Sequence, residues 1–591
     1  MTQSRGLPGL DWVRGYTAAT LANDLLAAAV VTVMLVPQSL AYAMLAGLPP
    51  QVGLYASIAP LVAYALMGTS RTLAVGPVAV LSLMTATAAT SVAAPGTPAY
   101  REAALVLALL SGAILLAMGL LRLGFLASLL SHPVVSAFVS ASAVLIALSQ
   151  LRHLLGLPAG GREEAWAMAR HVATHLEQTN PATLAVGGLA LVVLAFARTR
   201  AAPLLCRLGL KDRAADMLAR ATPAITVAFA ILAVEAFDLR AQGVATVGFI
   251  PAGLPPLTWP SRAADMVEHL LLPAFLMALV GFVESVSVAQ TLAARRRQVV
   301  VPDRELLALG AANLAAGVTG GYPVTGGFAR SVVNFDAGAE TPAAGAFAAL
   351  GILVATLLLT PALAPLPHAV LAATIVVAVV ALVDLEVPRR LWAWSKADFA
   401  AWAATAAATL AVGVEAGVVA GVVVTLVVTL ARAARPHVAI VGQVPGTQHY
   451  RNIHRHAVVT NPEILSLRID ESLTHLNARV IEDLVLQEVA ARPQLRHVIL
   501  MASGINAIDA TGLEMLETLN RRLGEARVRL HLSEVKGPVM DRLQKTEFLQ
   551  HLSGEVFMSQ HEAVTTLGAR RAGGAVGGAP AADPTLARDW V

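Results

Sequence analysis

Two short stretches interrupt otherwise apolar sequence: Leu73-Ala-Val-Gly-Pro-Val-Ala-Val80 and Tyr322-Pro-Val-Thr-Gly-Gly-Phe-Ala-Arg-Ser331. Breaking a helix inside lipid strands backbone N–H and C=O groups unless protein or a water-filled cavity takes them up. Two breaks, at similar depth in two halves of one chain, point to a transporter that binds its substrate near the bilayer midplane. Each break starts a half-helix, and the free N–H groups and positive dipole end of a helix start suit an anion. Pro77 fits a first helical turn, where its missing N–H is no loss. The reading aims Val78 and Ala79, following Gly76 and Pro77, at an anion from one side. Thr325, Gly326, Gly327, Phe328 and Ala329 face it from the other, with glycine allowing close backbone approach. The plainer alternative is that these glycines and prolines only permit tight helix packing.

Four further residues could serve that chemistry. Arg330, an ionisable group at membrane depth, would offset the charge of the anion; its other reading is an ion pair with Glu284. Glu284, in the stretch 281–290, is a carboxylate within an apolar run and could bind and release a coupling proton. Gln38 and Tyr42 lie one helical turn apart and share a face. Gln38 would donate an amide hydrogen bond and Tyr42 would wall the pocket.

Other chemistries find no support. The lone Cys206 excludes a disulfide framework and a thiolate metal cluster. His132, before Pro133, has no ligand partners nearby, and His454 and His456 read as surface residues. The chain lacks a Gly-x-x-x-x-Gly-Lys-Ser/Thr loop, so ATP drive is not expected. It shows no nucleophile–base pattern. The expectation is a protein that is not an enzyme and carries no cofactor and no metal.

The elements that must position these residues are membrane spans. Of 591 residues, 56% are hydrophobic and only 14% charged, where a soluble protein carries about a quarter. Runs long enough to cross a bilayer recur from Leu21 to about residue 430, and we read about fourteen spans. They cover 21–46, 52–67, 74–93, 102–121, 126–150, 181–198, 222–237, 267–293, 305–320, 326–338, 343–361, 367–383, 399–413 and 415–433. The first run is too long for a cleaved signal peptide. Lys and Arg concentrate in a loop at 198–220 and at Arg295, Arg296 and Arg297, so both termini are expected in the cytoplasm. No basic patch interleaved with aromatics suggests nucleic acid.

From about His437 the pattern changes. Ile464–Ile469, His497–Met501 and Arg529–Ser533 read as strands. Residues 478–491, 511–525 and 538–544 read as helices. Alternation of the two implies a small α/β domain, followed from 569 by a Gly/Ala/Pro-rich tail expected to be disordered.

Together these residues resemble the sulfate permease family, whose relatives include prestin and pendrin. The resemblance rests on 36–50 with Gly53-Leu-Tyr55, on Gly68-Thr-Ser-Arg71 with Val75-Gly-Pro77, and on Glu284-Ser285. It continues through Ala311-Ala-Asn313, Gly320-Gly-Tyr-Pro323, Ala329-Arg-Ser331, Asn334 and Ala337-Gly-Ala339. The tail resembles a STAS domain through Ile508-Asp-Ala-Thr-Gly-Leu513. There Ala510 stands where a phosphorylated serine occurs in related antagonists, and Thr511 reads as the cap of the next helix. The resemblance implies a helical polytopic membrane protein built as two inverted seven-helix repeats, with a uracil-permease-like core and gate, plus a cytoplasmic α/β STAS domain. The implied division is 1–20 cytoplasmic segment, 21–436 transport domain, 437–568 STAS domain and 569–591 tail.

The expected function is secondary active transport of a small anion, sulfate or a C4-dicarboxylate before bicarbonate, by alternating access. Proton coupling at Glu284 is favoured over sodium, because the sodium-coupled bicarbonate branch of the family it resembles carries aspartate and, one turn later, threonine where this chain has Glu284 and Val288, and Ser287 could only partly compensate. Family members of prestin type carry serine where this chain has Ala329. The open alternatives are an uncoupled exchanger, a channel, a sodium-coupled bicarbonate transporter, or a membrane-anchored STAS regulator. The expected setting is a homodimer in the inner membrane, crossing it many times.

Overall fold

The fold is known from a computed structural model that describes residues 11–13, 15–128, 131–158, 164–209, 212–251, 253–261 and 263–572. Contacts divide it into two units, residues 1–425 and 426–591.

The first unit is helical, and a helix lies in every apolar run read from the sequence. Among the described residues, seven helices are long and apolar enough to cross a membrane alone, including Ala18–Leu45, Pro98–Leu120 and His132–Leu155. Others are shorter, including Ala79–Thr90, Phe328–Asp336 and Ala343–Leu358. Thr97 and Asn180 cap helix starts by accepting a backbone N–H, each with proline in the first turn. Inside the spans, hydroxyls of Thr85, Thr356 and Thr405 return to the carbonyl four residues earlier. In lipid that internal partner replaces water.

Helix Pro98–Leu120 lies along Pro302–Val318 with almost no side chain between them. A Cβ on Gly112 would meet the Leu314 nitrogen at 2.8 Å and the Gly310 oxygen at 2.9 Å. One on Gly310 would meet the Leu116 nitrogen at 2.9 Å. Small residues let spans approach this closely.

Two expectations need correction. The segment 198–220 is not a loop. Helix Pro181–Phe196 runs on through a wide turn at Ala197–Ala201 into Ala202–Arg207, and the next helix starts at Asp212. Arginine favours helix, so a basic stretch between two spans can extend them. Second, Glu386–Trp394 forms a nine-residue helix where connecting chain was expected.

The second unit is a sheet with helices. Two short strands of the first unit are β1 (Val75–Gly76) and β2 (Thr325–Gly326), so the strands of the second unit are numbered from three. They are β3 (Val438–Gln443), β4 (Tyr450–Asn452), β5 (Ile464–Ile469), β6 (His497–Met501), β7 (Arg529–Ser533) and β8 (Val556–Phe557), in the order β4-β3-β5-β6-β7-β8. β5 to β8 are parallel, and β3 runs antiparallel to β4 and β5. Leu467, Val498, Leu500 and Leu530 pack against Ile481, Val485, Leu516 and Leu519 from the helices Ala478–Ala490 and Ala510–Glu525. β3, β4 and β8 were not read from the sequence. The helix cap is Asp509, not Thr511: its Oδ1 accepts the Gly512 N–H at 2.8 Å, and Thr511 sits inside the helix. The expected tail also starts too early, because helix Gln560–Ala572 covers its first residues. The rest of that tail, and residues 1–10, lie outside the described residues.

His531, 1% exposed on β7, accepts the Glu555 N–H at Nδ1 (3.0 Å) and meets His497 Nδ1 through Nε2 at 3.1 Å. Its one proton therefore sits on Nε2, and a second has no acceptor. Burial, with His497 beside it, pushes the imidazole from 6.5 down to about 4.

Two predictions follow from this packing. Gly112→Val should lower the thermal stability of the detergent-solubilised protein by about 1–3 kcal/mol, the usual cost of overpacking; an unchanged melt would contradict the backbone contact. For His531, the unfolded chain takes up a proton below pH 6.5 that the folded ring refuses until about pH 4. Stability should thus fall as pH drops through that window, by roughly 3 kcal/mol at its end. Hydrogen exchange of β6 and β7 amides, corrected for intrinsic rates, should accelerate accordingly. His531→Gln should flatten the dependence.

Candidate functional site

The two breaks pair with each other. β1 and β2 form an antiparallel ribbon with Val75 opposite Gly326 and Gly76 opposite Thr325. Helices Ala79–Thr90 and Phe328–Asp336 start at its ends. Their first intrahelical bonds run from Ser82 N–H to Val78 and from Ser331 N–H to Gly327. The first N–H groups of each helix therefore have no intrahelical partner.

Between the two starts lies Arg330. The guanidinium occupies the space that side chains on the glycines would need: a Cβ on Gly76 would meet Nη1 at 2.7 Å, and one on Gly327 would meet Nε and Nη2 at 2.8 Å. Arg330 is 2% exposed, yet Nη1 and Nη2 have no hydrogen-bond partner among the described residues. The expected alternative, an ion pair with Glu284, is not formed. Tyr42, Tyr322 and Glu284 are within its electrostatic reach. A buried guanidinium with idle donors is costly unless something anionic meets it.

The other residues named from the sequence divide into those that face this space and those that hold it. Phe328 (47% exposed) and Ala329 border open space. Val78 and Ala79 are buried at the opposite helix start. Tyr42 is buried on helix Ala18–Leu45, and one turn earlier the Gln38 side-chain oxygen is buried with no partner among the described residues. Pro77 follows β1 and leads into the helix capped by Val78. By contrast, Thr325 turns away, its hydroxyl bonding the Gly281 carbonyl at 2.6 Å and Ser285 Oγ at 2.7 Å. The N–H of Gly326 goes to Ser285 Oγ (2.8 Å) and that of Gly327 to the Ala74 carbonyl (3.1 Å). Those two glycines shape the site without donating to it. Glu284 makes no hydrogen bond or ion pair among the described residues and lines a narrow cavity with Val134, Phe138, Val280, Val283 and Val418. Val288 is buried, and the Ser287 hydroxyl is spent on the Val283 carbonyl.

The holding residues were mostly missed from sequence. Ser331 Oγ accepts the Ala74 N–H at 3.0 Å and donates to Gly327 at 2.7 Å, tying the second half-helix to the first break. Asn313 clasps Val324 through both its N–H and its carbonyl at 2.9 Å. Asn334 donates to the Thr72 carbonyl at 3.0 Å. Glu305, fully buried, accepts from Thr69 N–H (2.8 Å), Ser70 N–H (3.2 Å) and Tyr64 hydroxyl (2.7 Å), pinning the chain that enters the first break. Asp24, also fully buried, accepts from the N–H groups of Glu340 (2.8 Å) and Thr341 (3.2 Å), beyond the second half-helix. Arg296, part of the basic cluster read from sequence as a topology signal, caps that helix. It donates to the Phe335 carbonyl at 2.9 Å and to Ala339, and stacks on the Phe335 ring at 4.2 Å. The available signal was a lone acid or hydroxyl in an apolar run, which in lipid needs a partner.

Comparison with known proteins identifies the family and the fold. The sulfate permease family model matches residues 21–405, and a STAS domain model matches 455–563. Sulfate transporter 4.1, chloroplastic, of Arabidopsis thaliana is 34% identical over 94% of this chain and 82% of its own. A probable sulfate transporter of Mycobacterium tuberculosis is 35% identical over 95% of this chain and 98% of its own. The fold is that of the murine Solute Carrier 26 family member A9 anion transporter, solved in the inward-facing state. Its TM-score is 0.85 at 24% identity, covering 95% of this chain and 94% of that one. The transmembrane domain of a cyanobacterial bicarbonate transporter, BicA, gives 0.56 at 21% identity over 70% of this chain and 98% of that one. A helical transport unit with two paired breaks, followed by an α/β STAS domain, thus has one reading: the chain is a multi-pass membrane transporter that belongs to the sulfate permease family.

Proposed function

We propose that the protein is a secondary active transporter of sulfate or a similarly small anion, such as a C4-dicarboxylate. The observation that carries the proposal is the Arg330 guanidinium, buried with Nη1 and Nη2 idle between two half-helix starts. Nearly full-length relatives named as sulfate transporters favour sulfate within that class. Backbone N–H groups of Val78, Ala79, Phe328 and Ala329, with Arg330 and the Gln38 amide, are the proposed donors. Tyr42 is the proposed wall. Gly76, Pro77, Thr325, Gly326 and Gly327 are assigned to shaping the space.

Proton coupling is assigned to Glu284. It stands at membrane depth in a valine-lined cavity, in electrostatic reach of Arg330, with no fixed partner among the described residues. Two negative charges near one another repel strongly where the dielectric is low, so protonation of Glu284 would favour anion entry. Sodium is disfavoured. A hard cation wants several oxygens; Val288 supplies none, and the Ser287 hydroxyl, which donates to the Val283 carbonyl, could add only one. Uncoupled exchange is the second reading, since a carrier with Glu284 permanently neutral could still exchange. We assign residues 21–436 to transport and 437–568 to a cytoplasmic STAS domain. The proposed setting is an inner-membrane homodimer with both termini in the cytoplasm.

Two predictions test this function. Arg330→Ala should weaken sulfate binding by roughly tenfold to a hundredfold, the worth of a charged hydrogen bond, while Arg330→Lys should retain part of it. Equilibrium binding to the folded variants measures both, and unaltered affinity in the alanine variant would remove Arg330 from the site. In proteoliposomes, an inward proton gradient should drive labelled sulfate accumulation without sodium. Glu284→Gln should keep sulfate–sulfate exchange and lose accumulation. Full accumulation in that variant would place coupling elsewhere.

A further inference from the structure

The helix Glu386–Trp394 takes no part in the site described above. It is anchored at its start. Asp384 Oδ1 accepts the N–H groups of Glu386 (2.8 Å) and Val387 (3.1 Å), and the Asp384 N–H donates to Ser140 Oγ at 3.1 Å on helix His132–Leu155. Val387 is buried against the protein (4% exposed). Pro388 and Leu391 are half-buried, and the other residues of the helix are exposed. Trp394 is 87% exposed, Leu385 62% and Trp392 56%.

At 3.6 residues per turn, Val387, Pro388, Leu391, Trp392 and Trp394 fall on one arc, and Glu386, Arg389, Arg390 and Ala393 on the other. Arg389 and Arg390 are exposed and make no hydrogen bond or ion pair among the described residues. Just beyond the helix, the Lys396 ammonium stands 3.5 Å over the Trp392 ring and donates to the Trp392 carbonyl at 2.7 Å. Phe399 meets Trp392 edge-to-face at 4.8 Å. Of the nearby acids, Asp384 and Asp398 sit at helix starts, where the dipole offsets their charge. The three acids, Glu386 included, thus gather at helix starts, while Arg389 and Arg390 stand exposed on the polar arc.

We propose that this helix lies in the membrane interface and binds the headgroups of anionic phospholipids. Two exposed tryptophans on the apolar arc suit the boundary between headgroups and acyl chains, and cations on the other arc suit phosphates beside them. Neighbouring helices His368–Val380 and Lys396–Ala411 both pack on His132–Leu155. That last helix supplies Val134 and Phe138 to the Glu284 cavity. A lipid clamped here would therefore bear on the helices that border the site.

The experiment uses the full-length protein in mixed micelles with brominated lipids, which quench tryptophan on contact. The Trp394 signal is the difference between the parent protein and Trp394→Phe. Brominated phosphatidylglycerol should quench it at lower mole fraction than brominated phosphatidylcholine. Charge at a membrane surface makes each cation worth roughly fivefold in binding, so Arg389→Gln with Arg390→Gln should abolish most of that preference and leave phosphatidylcholine quenching unchanged. Both arginines are exposed, and an unchanged melting temperature verifies folding. Equal quenching by the two lipids, or a preference that survives the double substitution, would overturn the proposal. So would absent quenching together with a changed oligomeric state in the double variant, which would seat a second copy of the chain on this face.

Discussion

Everything at the centre of the transport unit depends on one constraint: a peptide group inside hydrocarbon must find its partner within the protein. Two breaks in two spans would each leave such groups stranded. Pairing β1 with β2 lets each break satisfy the other, although some 250 residues of chain separate them. Ser285, Ser331 and Asn313 then take the N–H and carbonyl groups that the two-residue ribbon leaves over. Glu305 and Asp24 hold the flanking chain in the same way, each as a buried acceptor for backbone N–H groups.

With the backbone satisfied, what remains unsatisfied is informative. Arg330 is enclosed by two glycines whose lack of a Cβ makes room for its guanidinium, and its terminal nitrogens have no partner among the described residues. Polar groups that evolution leaves idle in a dense interior need a reason, and a small anion that comes and goes is the one argued here. Glu284, on the helix that also carries Ser285, connects the carboxylate proposed for coupling to the ribbon through one rigid element.

Much of this was legible before the structure. Long apolar runs mark spans because lipid allows little else, and Gly-Pro and Gly-Gly inside such runs mark breaks. Arg330 stood out because arginine is rare at that depth. The pairing of the breaks was not legible, since strands of two residues carry no periodicity. Thr325, Gly326 and Gly327 lay in the right motif, but their hydrogen bonds go to Gly281, Ser285 and Ala74. Asp24 and Glu305 sit near span ends, where an acid looks like a surface residue. Asp509 and Thr511 are both good caps by type, and only backbone geometry separates them. The helix Glu386–Trp394 is too short and too charged for a span, and its amphipathic pattern covers barely two turns.

The most direct test of the central claim is to locate the anion. Selenate has the charge and shape of sulfate and can be placed by anomalous scattering from crystals of the full-length protein. The account predicts a selenium peak between the starts of helices Ala79–Thr90 and Phe328–Asp336, within hydrogen-bonding distance of the Arg330 guanidinium. A bound selenate elsewhere in the transport unit, with Arg330 still unpartnered, would contradict it.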